Sequence, residues 1–350
     1  MLKRHLIDLA DASVEDWNEI TRLAGDIARH PHYYSHACHG KILATLFYEP
    51  STRTQMSFQT AMLKLGGSVI GFDDPSNSSV AKGESLKDTI RVVSGYADII
   101  TMRHPVAGSA KAASLYSRVP IINAGDGGHL HPTQTLTDLV TLRNEKGRFD
   151  NLCIGLCGDL HNGRTVHSLI KAMCRFPHNR FVLISTPNLR VPPYVIRTIE
   201  ASGCPYKEVD NLAEAMPELD VLYMTRIQRE RFASEEEYLA QRGVYVLDKE
   251  KMSYAKDDLI VMHPLPRVDE IAVDIDDDPR MKYFEQTEYG LYARMALILK
   301  MLEDEKYIDP QPADAGRACT NPRCITNHER YVPRVFRKVG DHEICDYCEE

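Results

Sequence analysis

Short apolar runs of strand length alternate with stretches of helical spacing along most of this chain, and this alternation constrains the fold more than any other feature. The runs are rich in β-forming residues and lie at 41–48, 68–72, 97–102, 119–123, 152–156, 181–184, 221–224 and 259–262. Strands that alternate with helices form parallel sheets covered on both faces. The sequence therefore predicts an α/β protein with doubly wound parallel sheets.

The length of the chain indicates how many such sheets it builds. Its 350 residues, 43% of them apolar, suffice to bury two cores. We expect one domain over residues 1–148 and a second over 149–306, whose last helix, at 287–306, is long enough to cross back onto the first. Prolines without apolar periodicity predict a linker over 307–317, before a small module at 318–350.

The overall composition excludes several functional classes. The net charge of −8, from 42 basic and 50 acidic residues, disfavours a general nucleic-acid binder. The chain turns polar soon after its start, so it offers no signal-peptide core, and no apolar run is long enough to span a bilayer. We therefore expect a soluble, cytoplasmic protein with no membrane partner.

Small hydroxyl residues follow the first apolar run. Ser51, Thr52 and Thr54 surround Arg53 where a helix is predicted to start. Free backbone N–H groups and the positive end of the helix dipole converge there, and the side chains add further donors. The stretch suits a phosphate, although a capped helix with a surface arginine fits the same residues.

Three further arginines, Arg103, Arg164 and Arg226, stand beside predicted strand ends or helix starts. Ligands of open α/β sheets bind outside the carboxyl ends of strands, so we expect these side chains to line one cleft with Arg53. Guanidinium groups bind phosphate and carboxylate through paired hydrogen bonds, which suits substrates with several anionic groups. Taken singly, each arginine equally fits a solvated charge or a structural ion pair.

Two histidine-containing segments lie in similar places. His131 begins a predicted helix, where it either polarises a substrate carbonyl or caps the helix. The prolines in residues 263–267 either fix a rigid loop with outward-facing carbonyls or simply end a strand. Residues 73–83 are polar and predict a flexible loop, a common location for functional residues.

Four motifs in this order resemble the catalytic chain of the aspartate carbamoyltransferase family. They are Ser51-Thr52-Arg53-Thr54, His131-Pro132-Thr133-Gln134, Gly163-Arg164-Thr165-Val166-His167-Ser168 and His263-Pro264-Leu265-Pro266-Arg267-Val268-Asp269-Glu270. The resemblance covers residues 1–306. The ornithine enzymes of the family usually carry a cysteine in the last motif, so its His-Pro-Leu-Pro selects aspartate over ornithine.

The resemblance implies a reaction and the residues that carry it. The carbamoyl group of carbamoyl phosphate would pass to the amine of L-aspartate without a cofactor, giving N-carbamoyl-L-aspartate and phosphate in an early step of de novo pyrimidine biosynthesis. The residues implied for carbamoyl phosphate are Ser51, Thr52, Arg53, Thr54, Arg103, His131, Gln134, Leu265 and Pro266. The catalytic ones among them are Arg53, Thr54, Arg103 and His131.

The resemblance also implies an aspartate site and an assembly. Arg164, Arg226 and Gln228 would hold aspartate, while Ser79 and Lys82 would reach into a neighbouring subunit's site. The chain is thus expected to form a homo-oligomer, a trimer or a dimer of trimers. A homologue that carbamoylates a different amine is the alternative.

Four of the nine cysteines crowd the end of the chain as Cys319-x4-Cys324 and Cys345-x2-Cys348. Thiolates at this spacing predict a tetrahedral structural zinc site, and so short a segment does not fold on burial alone. Paired disulfides are the alternative, which a cytoplasmic location disfavours. Residues 332–339 are strand-like and basic and precede a turn at Gly340-Asp341, so we expect a small zinc-ribbon-like β module.

The tail resembles the zinc domain of the aspartate carbamoyltransferase regulatory chain, notably over residues 319–325. In the family that domain grips the catalytic chain, and the nucleotide-binding domain that normally precedes it is missing here. We therefore hypothesise a fused zinc clamp that stabilises the assembly of catalytic trimers without nucleotide feedback. The alternative is a module that recruits a separate regulatory chain or a nucleic acid.

Overall fold

The computed structural model describes residues 4–127, 129–229, 232, 234–303, 312–340 and 342–350. Contacts divide it into unit 1, Met1–Leu136 with Leu291–Glu350, and unit 2, Thr137–Gly290. The two changes of unit fall inside helices, Pro132–Lys146 and Tyr283–Glu303. The domain boundary expected near residue 148 stays a prediction.

Unit 1 is built on a four-stranded parallel sheet in the order β2-β1-β3-β4. The strands are β1 (Ile42–Phe47), β2 (Ser68–Phe72), β3 (Ile99–His104) and β4 (Ile121–Asp126). The helices are α1 (Val14–Arg29), α2 (Thr52–Lys64), α3 (Leu86–Val93), α4 (Ser109–Ser114) and the start of α5 (Pro132–Lys146). The almost wholly apolar β1 lies in the middle of the sheet, whereas β2 forms a largely exposed edge.

Unit 2 contains a five-stranded parallel sheet in the order β7-β6-β5-β8-β9. The strands are β5 (Cys153–Cys157), β6 (Arg180–Ile184), β7 (Tyr206–Val209), β8 (Val221–Met224) and β9 (Ile260–Met262). The helices are α6 (Arg164–Met173), α7 (Pro193–Ser202), α8 (Leu212–Ala215), α9 (Glu235–Gln241), α10 (Lys249–Met252) and α11 (Tyr283–Glu303), which continues into unit 1.

The last segment of unit 1, residues 318–350, forms the small module with the four clustered cysteines, the zinc module. It holds one short helix, α12 (Ile325–His328), and an antiparallel hairpin of β10 (Phe336–Val339) and β11 (His342–Cys345). Its Ile325, Val332 and Tyr347 lie in one apolar cluster with Ala107 and Ala110 of the β3–α4 region. The module therefore packs on the rest of unit 1.

The predicted fold class is confirmed, since two parallel α/β sheets and a small β module are present. Some boundaries were wrong: α11 begins at Tyr283 rather than residue 287, and β10 begins at Phe336 rather than 332. The polar loop at 73–83 contains two 3-10 turns, Pro75–Asn77 and Ser79–Lys82. The expected end of the last helix, residues 307–311 of the linker and Asp341 lie outside the described residues.

Within the described residues, no helix has the length and apolar character needed to cross a bilayer.

Candidate functional site

The sheet order of unit 1 reverses direction between β1 and β3. The chain runs from β1 outward to β2 and then returns to the other side of β1 to form β3 and β4. Ligands of open parallel sheets bind outside the carboxyl ends of the strands at such a reversal. The hydroxyl motif follows β1, and Arg103 lies at the carboxyl end of β3, so the predicted phosphate site lies where the topology favours ligand binding.

Arg53 occupies the first turn of α2, which starts at Thr52 after the N-cap Ser51. Ser51 makes no side-chain capping bond to the helix, and Thr54 is buried while Arg53 is exposed. A cation in the first turn opposes the helix dipole. The local structure thus gains nothing from Arg53, which favours the phosphate interpretation over that of a capped helix.

Arg103 is held beside this turn by strand pairing, because it lies opposite Phe47 in the β1–β3 register. Its Nη2 lies 2.8 Å from Glu49 Oε2, and its Nη1 donates to the carbonyl of Ala124 at 3.4 Å. Gly125 leaves room for the Arg103 guanidinium, since a Cβ added at position 125 would lie 2.9 Å from Nη1. Among the described residues the buried Arg103 Nε has no hydrogen-bond partner, which leaves a donor for a ligand.

Burial lowers the pKa of the Arg103 guanidinium, and Glu49 opposes this shift. The guanidinium remains charged, because arginine titrates far above neutral pH.

His131 precedes α5 and is buried, with Nδ1 3.5 Å from Thr133 Oγ1. The connection from β4 to His131 is organised by Asp126, which accepts hydrogen bonds from the backbone N–H groups of Gly108 and Leu130 at 2.8 and 3.0 Å. His129 Nδ1 lies 3.2 Å from Asp126 Oδ2. These contacts fix the segment that carries His131.

His129 is expected to make stability fall at alkaline pH. Burial lowers the pKa of His129, but Asp126 and Glu349 outweigh it and raise this pKa from 6.5 to about 9. A raised pKa stabilises the fold fully below pH 6.5, and the gain disappears as the pH rises through about 9; its size is about 3 kcal/mol. The thermal midpoint should fall less between pH 6.5 and pH 9.5 in His129→Gln than in wild type. An equal fall in the two proteins would contradict the assignment.

Ser79 and Lys82 lie in the exposed 3-10 turn Ser79–Lys82 that follows the edge strand β2. Gly83 ends the turn with a φ of 90°, a left-handed conformation that glycine adopts without strain. Within the described part of the chain, neither side chain forms a hydrogen bond or an ion pair. Both are therefore free to meet a ligand or another chain.

Unit 2 repeats the arrangement of unit 1, because its sheet order reverses between β5 and β8. Arg164 begins α6, the helix after β5, and Arg226 follows β8. The two strand ends are joined by Thr225, whose N–H donates to the carbonyl of Cys157 at 2.8 Å. Gly158 permits this approach, since a Cβ there would lie 2.2 Å from the Thr225 carbonyl oxygen. Half-buried Arg226 and Gln228 thus lie beside the reversal point.

The loop after β9 is held by a buried pair, His263 and Glu270. His263 Nδ1 accepts from the N–H of Leu265 at 2.8 Å, so the proton sits on Nε2, which donates to Glu270 at 2.7 Å. Glu270 also accepts from the N–H groups of Val268 and Asp269, both at 3.1 Å. Burial raises the pKa of Glu270, but the hydrogen bonds from His263 and the backbone lower it overall.

Leu265 has a φ of 52°, which is uncommon for a residue with a Cβ, and the Leu265-Pro266 peptide is cis. The hydrogen bond from the Leu265 N–H to His263 holds Leu265 in this conformation. This contact favours a fixed loop at residues 263–267 over a simple strand end, and the rigidity of the loop stays a prediction.

The four terminal cysteines form one buried cluster, with all Sγ atoms within 4.8 Å of one another. Sγ of Cys319 lies 3.5 Å from that of Cys348, and Sγ of Cys324 lies 3.7 Å from that of Cys345. A tetrahedral zinc ion with Zn–S bonds of ~2.3 Å requires sulfur atoms ~3.8 Å apart, so the donor set fits zinc. None of the nine cysteines forms a disulfide, which removes the disulfide alternative.

His328 and His342 do not belong to the cluster. His328 Nε2 instead lies 3.1 Å from the carbonyl of Pro322. The structure thus supports a closed site of four cysteines that holds a structural zinc ion.

Sequence reasoning missed the residues that support the site from a distance. Glu49 pairs with Arg103, and Asp126 and His129 hold the segment before His131. Glu49 lies two residues before the hydroxyl motif, so the sequence shows it as a neighbouring charge, whereas no periodic pattern marks the other two. Their roles depend on strand pairing, which cannot be read from the sequence alone.

Family models match nearly the whole chain. Residues 4–144 match the carbamoyl-P binding domain of aspartate/ornithine carbamoyltransferase, and residues 150–301 match its Asp/Orn binding domain. Residues 317–350 match the metal binding domain of the aspartate carbamoyltransferase regulatory chain. The sequence and fold therefore define a carbamoyltransferase-type chain with a zinc module of regulatory-chain type.

Individual relatives agree with these matches. The aspartate carbamoyltransferase catalytic subunit of Clostridium novyi is 58% identical over 299 residues, covering 85% of this chain and 98% of that protein. The catalytic subunit of M. jannaschii aspartate transcarbamoylase is 49% identical with a TM-score of 0.82, covering 86% of this chain and 99% of that one. Aspartate transcarbamoylase from Trypanosoma cruzi, in complex with carbamoyl phosphate and aspartate, is 38% identical with a TM-score of 0.79. The match covers 85% of this chain and 97% of that one.

The chain belongs to the aspartate/ornithine carbamoyltransferase family. Both resemblances drawn from the sequence, to the catalytic chain and to the regulatory zinc domain, are confirmed.

Proposed function

We propose that this protein is an aspartate carbamoyltransferase, which transfers the carbamoyl group of carbamoyl phosphate to the amine of L-aspartate in de novo pyrimidine biosynthesis. The observation that carries the proposal is the reversal point of unit 1. There the first turn of α2 presents its N–H groups and Arg53, and the β1–β3 register adds the unpartnered Arg103 Nε. The identity to catalytic subunits of this name supports the choice of reaction.

The phosphate of carbamoyl phosphate binds to Ser51, Thr52, Arg53 and Thr54 at the start of α2. Arg103, His131, Gln134 and Thr54 bind the carbamoyl end, and the backbone oxygens of Leu265 and Pro266 accept from its amide. Dipole, hydroxyl groups and guanidinium groups all favour an anion at the start of α2. The rigid His263–Glu270 loop suits the second role, because its carbonyls keep their directions.

Arg164 and Arg226, with Gln228 beside them, bind the two carboxylates of aspartate. Both arginines lie at the reversal point of unit 2, and guanidinium groups form paired bonds with carboxylates. Ornithine carries an amine in place of the second carboxylate, so one of these arginines would repel it.

The neutral amine of aspartate attacks the carbamoyl carbon, a C–N bond forms, and the tetrahedral intermediate expels phosphate as the C–O bond breaks. The proton lost by the amine leaves with the phosphate. The protein aligns the two anionic reactants, stabilises the oxyanion through Arg103, His131 and Thr54, and neutralises the leaving phosphate through Arg53. These charged and polar groups supply the chemistry, and the zinc ion is structural.

The protein acts in the cytoplasm as a homo-oligomer, a trimer or a dimer of trimers, in which Ser79 and Lys82 serve a neighbouring subunit's site. Met56 and Leu63 on α2 and Ile70 on β2 support this, because these apolar side chains are exposed on unit 1. Nine cysteines without a disulfide suit a reducing compartment. We assign carbamoyl phosphate binding to residues 1–148, aspartate binding to 149–306, a linker to 307–317 and zinc binding to 318–350.

Product formation from carbamoyl phosphate with L-aspartate, L-ornithine or other amino acids, followed by mass spectrometry, tests the proposal. We expect N-carbamoyl-L-aspartate as the main product. A higher kcat/KM for ornithine or another amine than for aspartate would show that aspartate is not the preferred substrate. The absence of any carbamoylated product would overturn the proposed function.

A further inference from the structure

The zinc module reaches the first turn of α3, whose N–H groups have no partners within the helix. Ser85 Oγ accepts from the N–H of Asp88 at 3.2 Å, as an ordinary N-cap does. The other two N–H groups of this turn donate to the zinc module: Leu86 to Glu329 Oε1 at 3.2 Å and Lys87 to Tyr331 Oη at 2.8 Å. The module thus completes the cap of α3.

Tyr331 is itself fixed by surrounding rings and charges. Its ring lies 5.6 Å from that of Tyr116, whose hydroxyl donates to the Tyr331 carbonyl at 3.1 Å. Lys87 Nζ lies 5.5 Å from the Tyr331 ring and 5.2 Å from the Tyr116 ring. Glu329 places a carboxylate at the positive end of the α3 dipole, which stabilises the helix start. The contacts of Glu329 and Tyr331 with the start of α3 are therefore each supported by further interactions.

The segment directly before α3 is the turn that carries Ser79 and Lys82. Its end is tied to its start, since the N–H of Glu84 donates to the Ser79 carbonyl at 3.3 Å. Val80, in the middle of the turn, packs on the apolar cluster that contains Ile325 and Val332 of the zinc module. The turn therefore shares an apolar cluster with the zinc module through Val80, and it leads directly into the start of α3 that the module caps.

We infer that Glu329 and Tyr331 are positioning residues, which fix the start of α3 and with it the turn that presents Ser79 and Lys82 to substrate. The inference rests on the proposed function, because Ser79 and Lys82 are assigned to substrate only there. It makes the zinc module part of the substrate-binding machinery, beyond a role in holding chains together.

Amide hydrogen exchange of the zinc-loaded protein tests the contact without any assay of activity. In Tyr331→Phe, which keeps the ring and loses only the acceptor, exchange at Lys87 should quicken about fivefold, the factor of one lost hydrogen bond. Glu329→Ala should do the same at Leu86, and Glu329→Gln, which keeps an oxygen acceptor, should restore slow exchange. Lys111→Met is the matched control, because Lys111 pairs with Asp346 of the module away from α3. Unchanged exchange in Tyr331→Phe and Glu329→Ala would overturn the inference.

Steady-state kinetics test whether the contact acts through Lys82. We expect Tyr331→Phe to lower kcat/KM severalfold in the wild-type background and to have no further effect in Lys82→Ala, because coupled residues are not additive. Equal effects of Tyr331→Phe in both backgrounds would show a merely structural role and overturn the inference. Wild-type kinetics in Tyr331→Phe together with fast exchange at Lys87 would also overturn it. A wild-type chain that forms no carbamoyl aspartate would overturn the proposed function instead, while the exchange result would still decide the contact.

Discussion

Arg53→Ala is expected to lower kcat roughly 100- to 1,000-fold, the range seen when one donor to a developing negative charge is removed. Arg53 lies in the first turn of α2, where the helix dipole, the N–H groups and the hydroxyls of Ser51 and Thr54 favour an anion. It contributes little to the fold, because an exposed cation at a helix start opposes the dipole. The thermal midpoint should therefore stay within a few degrees of wild type.

Lys64→Ala supplies the control, since Lys64 is an exposed cation at the opposite end of the same helix. It removes the same charge from α2 but should leave kcat and KM unchanged. Near-normal turnover in Arg53→Ala would refute the phosphate assignment. Restoration of turnover by Arg53→Lys would show that charge alone suffices, whereas we expect only partial recovery, because lysine cannot form the paired bonds of arginine.

Local sequence patterns predicted the elements whose signals are themselves local. The apolar runs at 68–72 and 221–224 coincide with β2 (Ser68–Phe72) and β8 (Val221–Met224) without any shift of boundary. Elements without such signals were missed. β7 (Tyr206–Val209) is an exposed edge strand with two charged residues, and α9 (Glu235–Gln241) begins with three glutamates, so neither shows an apolar face.

The site was predictable as a set of residue types but not as a network. The arginines and hydroxyls could be named because each follows a predicted strand or begins a predicted helix. The contact of Glu329 with Leu86 joins positions 243 residues apart, and no periodicity reports a pair so distant. Likewise, the hydrogen bond between His263 and Glu270 joins the two ends of the last motif. This contact explains why both residues belong to the motif, and it cannot be deduced from the sequence alone.

Cys345→Ser is expected to abolish zinc binding and unfold the zinc module. A structural zinc ion contributes on the order of 10 kcal/mol to such a fold, and the described residues of the module offer only one four-residue helix and one short hairpin to replace it. Metal analysis should find the zinc content falling from one ion per chain to almost none. Hydrogen exchange should become fast across β10 and β11, because Cys345 is the last residue of β11.

Cys204→Ser is the matched control, because Cys204 is a partly exposed free thiol outside the metal cluster. It should keep its zinc and the protection of β10 and β11. Loss of the module also exposes the apolar side chains of the β3–α4 region and removes two caps from α3, so lower stability of unit 1 should accompany loss of zinc. Light scattering of both variants decides the clamp hypothesis: a lower assembly mass in Cys345→Ser alone supports it, whereas unchanged mass and stability contradict any structural role of the zinc ion.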